Sequence, residues 1–148
     1  MLSVKDIMTK DVITVSPETG IAHAAKLLLE RGFNGVPVVD GTGKLVGLLC
    51  QSDLVAQQKK FPVPSLFTIL DGVISFTSTK SLEKEVQKIT AATVADAMTP
   101  DPVTVGLETS IEEVCSIMVD RKFYTLPVVD AGELVGIVGK EDVLKTLV

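Results

Sequence analysis

Apolar residues recur at Ile21, Ala24, Ala25 and Leu28, and again at Ile111, Val114, Cys115 and Met118. Both sets follow the i, i+3, i+4, i+7 spacing of a helix with one face turned inward. Leu27 and Leu29, with Ile117 and Val119 at the same places in the second set, widen that face well past the ~100° that one core requires. A second surface is therefore expected over each helix, either the other half of the chain or another subunit. Ser110-Ile111-Glu112-Glu113 opens the second helix with a capping box; the first starts on Gly20, with His23 where the glutamate would be. Gly32 suits a left-handed cap, and its replacement by Lys122 predicts a different closure for the second helix. Ahead of each helix lies a β-branched run, Val12-Ile13-Thr14-Val15 or Val103-Thr104-Val105, read as a short strand. Behind the first lies Val36-Pro37-Val38-Val39, a buried strand. Asp40-Gly41-Thr42-Gly43 then turns the chain into a hairpin with Lys44–Leu49. Asp130-Ala131-Gly132 is the shorter second turn, and last helices begin near Ser52-Asp53 and Glu141-Asp142.

The elements occur twice because the sequence does. From residue 4 to 40, 16 of 37 positions are identical at an offset of 90. Val4-Lys5-Asp6-Ile7-Met8-Thr9 returns as Val94-Ala95-Asp96-Ala97-Met98-Thr99, and Phe33-Asn34-Gly35-Val36-Pro37-Val38-Val39-Asp40 as Phe123-Tyr124-Thr125-Leu126-Pro127-Val128-Val129-Asp130. After a one-residue deletion, Leu45-Val46-Gly47 matches Leu134-Val135-Gly136. Two copies are too few for a solenoid, so the fold class is α/β (α+β): two β-α-β-β-α repeats packed about a pseudo-two-fold axis. The first repeat is placed at 1–58 and the second at 93–148. Residues 59–92 have no counterpart. In that stretch Phe61-Pro62-Val63-Pro64 is extended. Ser65–Phe76 is mostly apolar, a core extension or dimer contact rather than a lid. Residues 81–90 form an amphipathic helix with Leu82, Val86 and Ile89 on one side.

Composition narrows the function classes. The chain is 46% apolar, which implies extensive burial, and carries a net charge of −5 with a pI near 4.8. Its only adjacent basic pairs are Lys59-Lys60 and Arg121-Lys122, too sparse for a nucleic-acid face. No apolar run reaches the ~20 residues of a membrane span, and Met1–Asp6 lacks a signal-peptide core, so a cytoplasmic protein is expected. Cys115 takes the place of Ala25 on a helix stripe and reads as a small hydrophobe; a disulfide with Cys50 has little support. His23 is the only histidine and lies opposite its helix's apolar stripe, so neither a zinc site nor a nucleophile–His–acid arrangement is expected. Gly41-Thr42-Gly43-Lys44 lacks the phosphate-loop spacing and reads as a turn. Catalysis and a resident cofactor are not expected.

Asp6-Ile7-Met8-Thr9, Thr14-Val15, the helix, Val36-Pro37-Val38-Val39-Asp40, and Gly47 followed six residues later by Asp53 all recur in order in the second copy. This series resembles the cystathionine-β-synthase (CBS) domain family in the tandem arrangement called a Bateman module. The resemblance covers the chain apart from residues 59–92. It implies a regulatory module with two clefts between its copies that bind AMP, ADP, ATP or S-adenosylmethionine. It also implies pairing into disc-shaped homodimers, which suits the broad apolar helices.

By the same resemblance Asp53 and Asp142 would accept ribose hydroxyls, as a fixed carboxylate can for two vicinal hydroxyls. Without it, each is read as a helix cap. The family's Ser/Thr, which contacts phosphate, is replaced by Cys50 and Gly139; a thiol is a weak donor and glycine offers only backbone. Ser52 or Lys140 would have to compensate. Backbone around Ile13-Thr14 and Val103-Thr104 would meet adenine. Residues 34–37 (Asn34, Gly35, Val36, Pro37) and 124–127 (Tyr124, Thr125, Leu126, Pro127) would line the clefts. Tyr124 would stack on a base or be an ordinary half-buried aromatic. Two functions follow. The first is a sensor of an adenosine-type ligand that signals to a separate effector protein in trans, and the second a structural dimerisation module with degenerate clefts.

Overall fold

The computed structural model describes residues 2–60 and 92–148. The helix expected over 81–90, and the extended and apolar stretches before it, lie outside the described residues.

The two copies interlock. In the first, α1 (Val4–Ile7) precedes α2 (Ile21–Arg31), the hairpin β1 (Gly35–Val39) and β2 (Leu45–Cys50), and α3 (Gln51–Lys60). The second repeats this as α4 (Val94–Ala97), a two-residue strand β3 (Thr99–Pro100), α5 (Ile111–Arg121), β4 (Thr125–Asp130), β5 (Glu133–Gly139) and α6 (Lys140–Leu144). Each opening arm leaves its own copy. β3 adds to the edge of the first copy's sheet, giving the order β1-β2-β3, while Thr9 bridges to Ile137 on the second. Val94 sits fully buried among Val15, Ala24, Leu28, Val36, Val38 and Leu49. Val4 does the same among Val105, Val114, Met118, Leu126, Val128 and Val138.

Local chemistry makes such short arm helices stand. Asp6 Oδ2 accepts the Ser3 N–H at 2.8 Å, and Asp96 Oδ2 accepts that of Thr93 at 2.8 Å. Each arm then crosses the opposite sheet over a glycine. A Cβ on Gly47 would lie 2.5 Å from Met98 Sδ, and one on Gly136 2.7 Å from Met8 Sδ. Gly47 and Gly136 are therefore crossing points, where any side chain would overpack the join.

The strands expected at Val12–Val15 and Val103–Val105 shrink to single parallel bridges, Val15 to Val38 and Val105 to Val128. The reason is proline. Val15 donates to the Pro37 carbonyl, but the next rung would need a donor from Pro37, which has none; Pro127 stops the second copy identically. Gly32 takes the left-handed cap at φ 66°. Lys122 takes it too, at φ 57°, correcting the expectation of a different closure, at a backbone cost of roughly 1–2 kcal/mol. Ser110 caps α5 by accepting the Glu113 N–H at 3.1 Å. Ala24 and Leu28 are buried, but Leu29 and Val119 remain 77% and 72% exposed, so neither copy's described residues supply the second cover expected for that face.

Candidate functional site

Interlocking brings the two copies together around β1 and β4. Gly35 faces Thr125, its own counterpart in the repeat, and a Cβ on Gly35 would meet Thr125 Cβ at 3.2 Å. Beside this junction is a cavity of about 190 Å³. One wall is Thr9, Asp11, Ile13 and Gly32–Gly35 of the first copy. The other is Thr125, Ile137, Gly139, Lys140, Glu141, Asp142 and Lys145 of the second.

Asp142 stands on this lip because it occupies the third position of α6. There its Oδ2 accepts the Gly139 N–H at 2.8 Å. Among the described residues no hydrogen bond reaches its Oδ1. The lining carries three carboxylates, Asp11, Glu141 and Asp142, against the ammonium groups of Lys140 and Lys145. Such a site can accept hydroxyl donors on a carboxylate and place a modest negative charge near the two lysines.

Of the residues singled out from sequence, Ile13, Asn34, Gly35, Thr125, Gly139, Lys140 and Asp142 meet at the cavity. Val36, Pro37, Leu126 and Pro127 are buried behind it as core. Thr14, Val103 and Thr104 lie outside the lining, as does Tyr124. The Lys140 ammonium lies 5.7 Å from the Tyr124 ring centroid, so that ring face holds a cation. Thr9, Asp11 and Lys145 were not anticipated. Asp11 recurs as Asp101 and Thr9 as Thr99, a signal available in the repeat; Lys145 aligns with Ala56 and gave none.

The first copy's equivalents are arranged differently. Asp53 Oδ2 accepts the Cys50 N–H at 2.8 Å, and Asp53 Oδ1 accepts the Thr99 hydroxyl at 3.2 Å. Cys50 is buried against Gly35, and burial, reinforced by the Asp53 carboxylate, pushes its thiol up to about 12. Alkylation near neutral pH is expected to label half-buried Cys115 and spare Cys50 until the protein unfolds; mass spectrometry of labelled peptides checks this. Because the folded thiol titrates above its ordinary 9.0, its contribution to stability is intact below pH 9.0. It is lost as pH rises from there towards about 12.

The family model described as CBS domain matches residues 4–60 and again residues 94–148. The chain belongs to the CBS domain family. This tandem CBS pair is 34% identical over 150 residues to CBS domain-containing protein CBSX1, chloroplastic, of Arabidopsis thaliana, an alignment covering 97% of the chain and 63% of that relative. The chain thus spans less than two thirds of the length of that relative. Among solved structures, CBSX2 in complex with AMP superposes with a TM-score of 0.74 at 31% identity, covering 99% of this chain and 96% of that one. The CBS domain pair of MJ0100 in complex with 5′-methylthioadenosine and S-adenosyl-L-methionine superposes at 0.71 with 27% identity, covering 99% and 100%. The mixed α/β architecture expected from the repeat is the one these CBS pairs share.

Proposed function

We propose that this CBS pair is a regulatory sensor that binds an adenosine-containing small molecule between its copies and signals to an effector protein in trans. One observation carries the reading: a carboxylate oxygen, Asp142 Oδ1, has no hydrogen-bond donor among the described residues and sits on the lip of a cavity built from both copies. The AMP bound by CBSX2 and the methylthioadenosine and S-adenosylmethionine bound by MJ0100 support the ligand class. The site comprises Thr9, Ile13, Gly35, Thr125, Gly139, Lys140, Asp142 and Lys145. A ligand touching both walls stabilises one packing of the copies over another, and the difference in affinity is the signal. The role is regulatory rather than catalytic, and the repeats are assigned to 1–58 and 93–148. Two free cysteines suit a reducing compartment, and we read it as the cytoplasm, although the Arabidopsis relatives are named chloroplastic. No described helix is long and apolar enough to cross a membrane.

A dimerisation module is the second reading, favoured by exposed apolar residues at equivalent places in the two copies: Leu29 with Val119, and Val55 with Leu144. A homodimer burying them is compatible with the sensor. Thermal unfolding against AMP, ADP, ATP, S-adenosylmethionine and NADH separates the two functions. A cognate ligand at ~100 times its dissociation constant is expected to add about 2.7 kcal/mol of stability. A protein that stays dimeric and responds to none of them is the scaffold.

A further inference from the structure

The repeat sets Asp53 and Asp142 at matched positions, and the chemistry around them differs. On the second copy, Asp142 Oδ1 is open to the cavity, and Thr9 lines that cavity without bonding to it. On the first, the counterpart of Thr9 has closed the same gap: the Thr99 hydroxyl donates to Asp53 Oδ1 at 3.2 Å. Thr99 is held there as a strand residue, paired with Leu48 while Pro100 pairs with Gly47. Among the described residues Thr9 makes a single bridge, to Ile137. The cations differ as well. Lys140 and Lys145 line the second copy's side, whereas the same repeat positions in the first hold Gln51 and Ala56.

We infer that the two clefts are unequal, and that one adenosine-type ligand binds per chain at the Asp142 lip while Thr99 fills the matching place on Asp53 from within. This rests on the sensor reading and specifies its stoichiometry. A ligand hydroxyl arriving at Asp53 would have to displace an existing donor, exchanging one hydrogen bond for another. At Asp142 it meets a carboxylate oxygen with no donor to displace among the described residues, and a charge-assisted bond there is a net gain. An anionic substituent adds to the difference, since two ammonium groups flank one site and neither is repeated at the other.

Titration calorimetry of the full chain with AMP tests this. The expected result is one AMP per chain, weakened about tenfold or more by Asp142→Asn and unchanged by Asp53→Asn. Asparagine can still accept the capping N–H at either place, so both variants keep the helix start. A readout on the unmutated protein guards against misfolded variants. On adding AMP, the amide NMR signals of Gly139 and Asp142 should move and those of Asp53 and Leu54 should stay. Two AMP per chain with similar affinity, or loss of binding in Asp53→Asn alone, overturns the inequality and leaves the sensor standing. No binding of AMP, ADP, ATP or S-adenosylmethionine overturns the sensor and this inference with it.

Discussion

Replacing Val94 with aspartate is expected to unfold the first half of the molecule, although Val94 belongs to the second. Its side chain is fully buried, and all the buried residues it packs with lie between Val15 and Leu49. A carboxylate there would have no partner, and an unpaired buried charge costs several kcal/mol even after relaxation. That is a large share of the 5–15 kcal/mol that holds a typical domain. Urea unfolding should show the loss, with Ala95→Asp on the exposed side of the same short helix within about 0.5 kcal/mol of the parent. Hydrogen exchange supplies the sharper test. The amides of β1 and β2 should lose protection before those of β4 and β5. Loss confined to the second half would mean that the arms do not exchange.

Asp142→Ala should abolish most of the ligand response while leaving a folded protein. The side chain has two jobs. As a cap on the Gly139 N–H it contributes roughly 1 kcal/mol to the folded state. As an acceptor for a ligand hydroxyl it contributes a charge-assisted bond worth about 1.5–3 kcal/mol, so the dissociation constant should rise by one to two orders of magnitude. The jobs separate when unfolding is measured with and without saturating AMP. Capping is lost equally in both curves, so only the ligand-dependent increment of about 2.7 kcal/mol should shrink. An increment of full size in the variant would leave Asp142 as a cap and nothing more.

Much of this was readable in the residues, and the remainder resisted for identifiable reasons. Helical spacing and turn chemistry placed α2, α5 and both hairpins, because those elements depend on neighbours a few positions away. The exchange of arms did not emerge. The repeat matches Val4 with Val94 but carries no information about which of two similar cores receives each. The shortfall at Val12–Val15 was legible in principle, since Pro37 lacks the donor a parallel rung requires. Lys122 shows the opposite limit: α5 ends on a left-handed residue that local preference argues against. At the site, Asp142, Gly139, Lys140, Ile13, Gly35 and Thr125 converge at one cavity. Thr9 and Asp11 precede every predicted strand and helix of their copy, and only the crossing of copies brings them to the cavity. The inequality of the clefts is written in the repeat where Lys140 and Lys145 replace Gln51 and Ala56, but its other half, the Thr99 hydroxyl on Asp53, depends on a rotamer and a strand pairing that no repeat pattern encodes.

The arms also set an order of events as the chain leaves the ribosome. By the time residue 60 has emerged, the first half has β1 and β2 but lacks β3 and Val94, which join its sheet and its buried cluster only after more than thirty further residues are made. The second half faces no such delay, because the piece it needs was synthesised earlier and is already waiting at Val4. The late-made half can therefore close as soon as it appears, and the early-made half is the one exposed to proteases and to mispairing during synthesis.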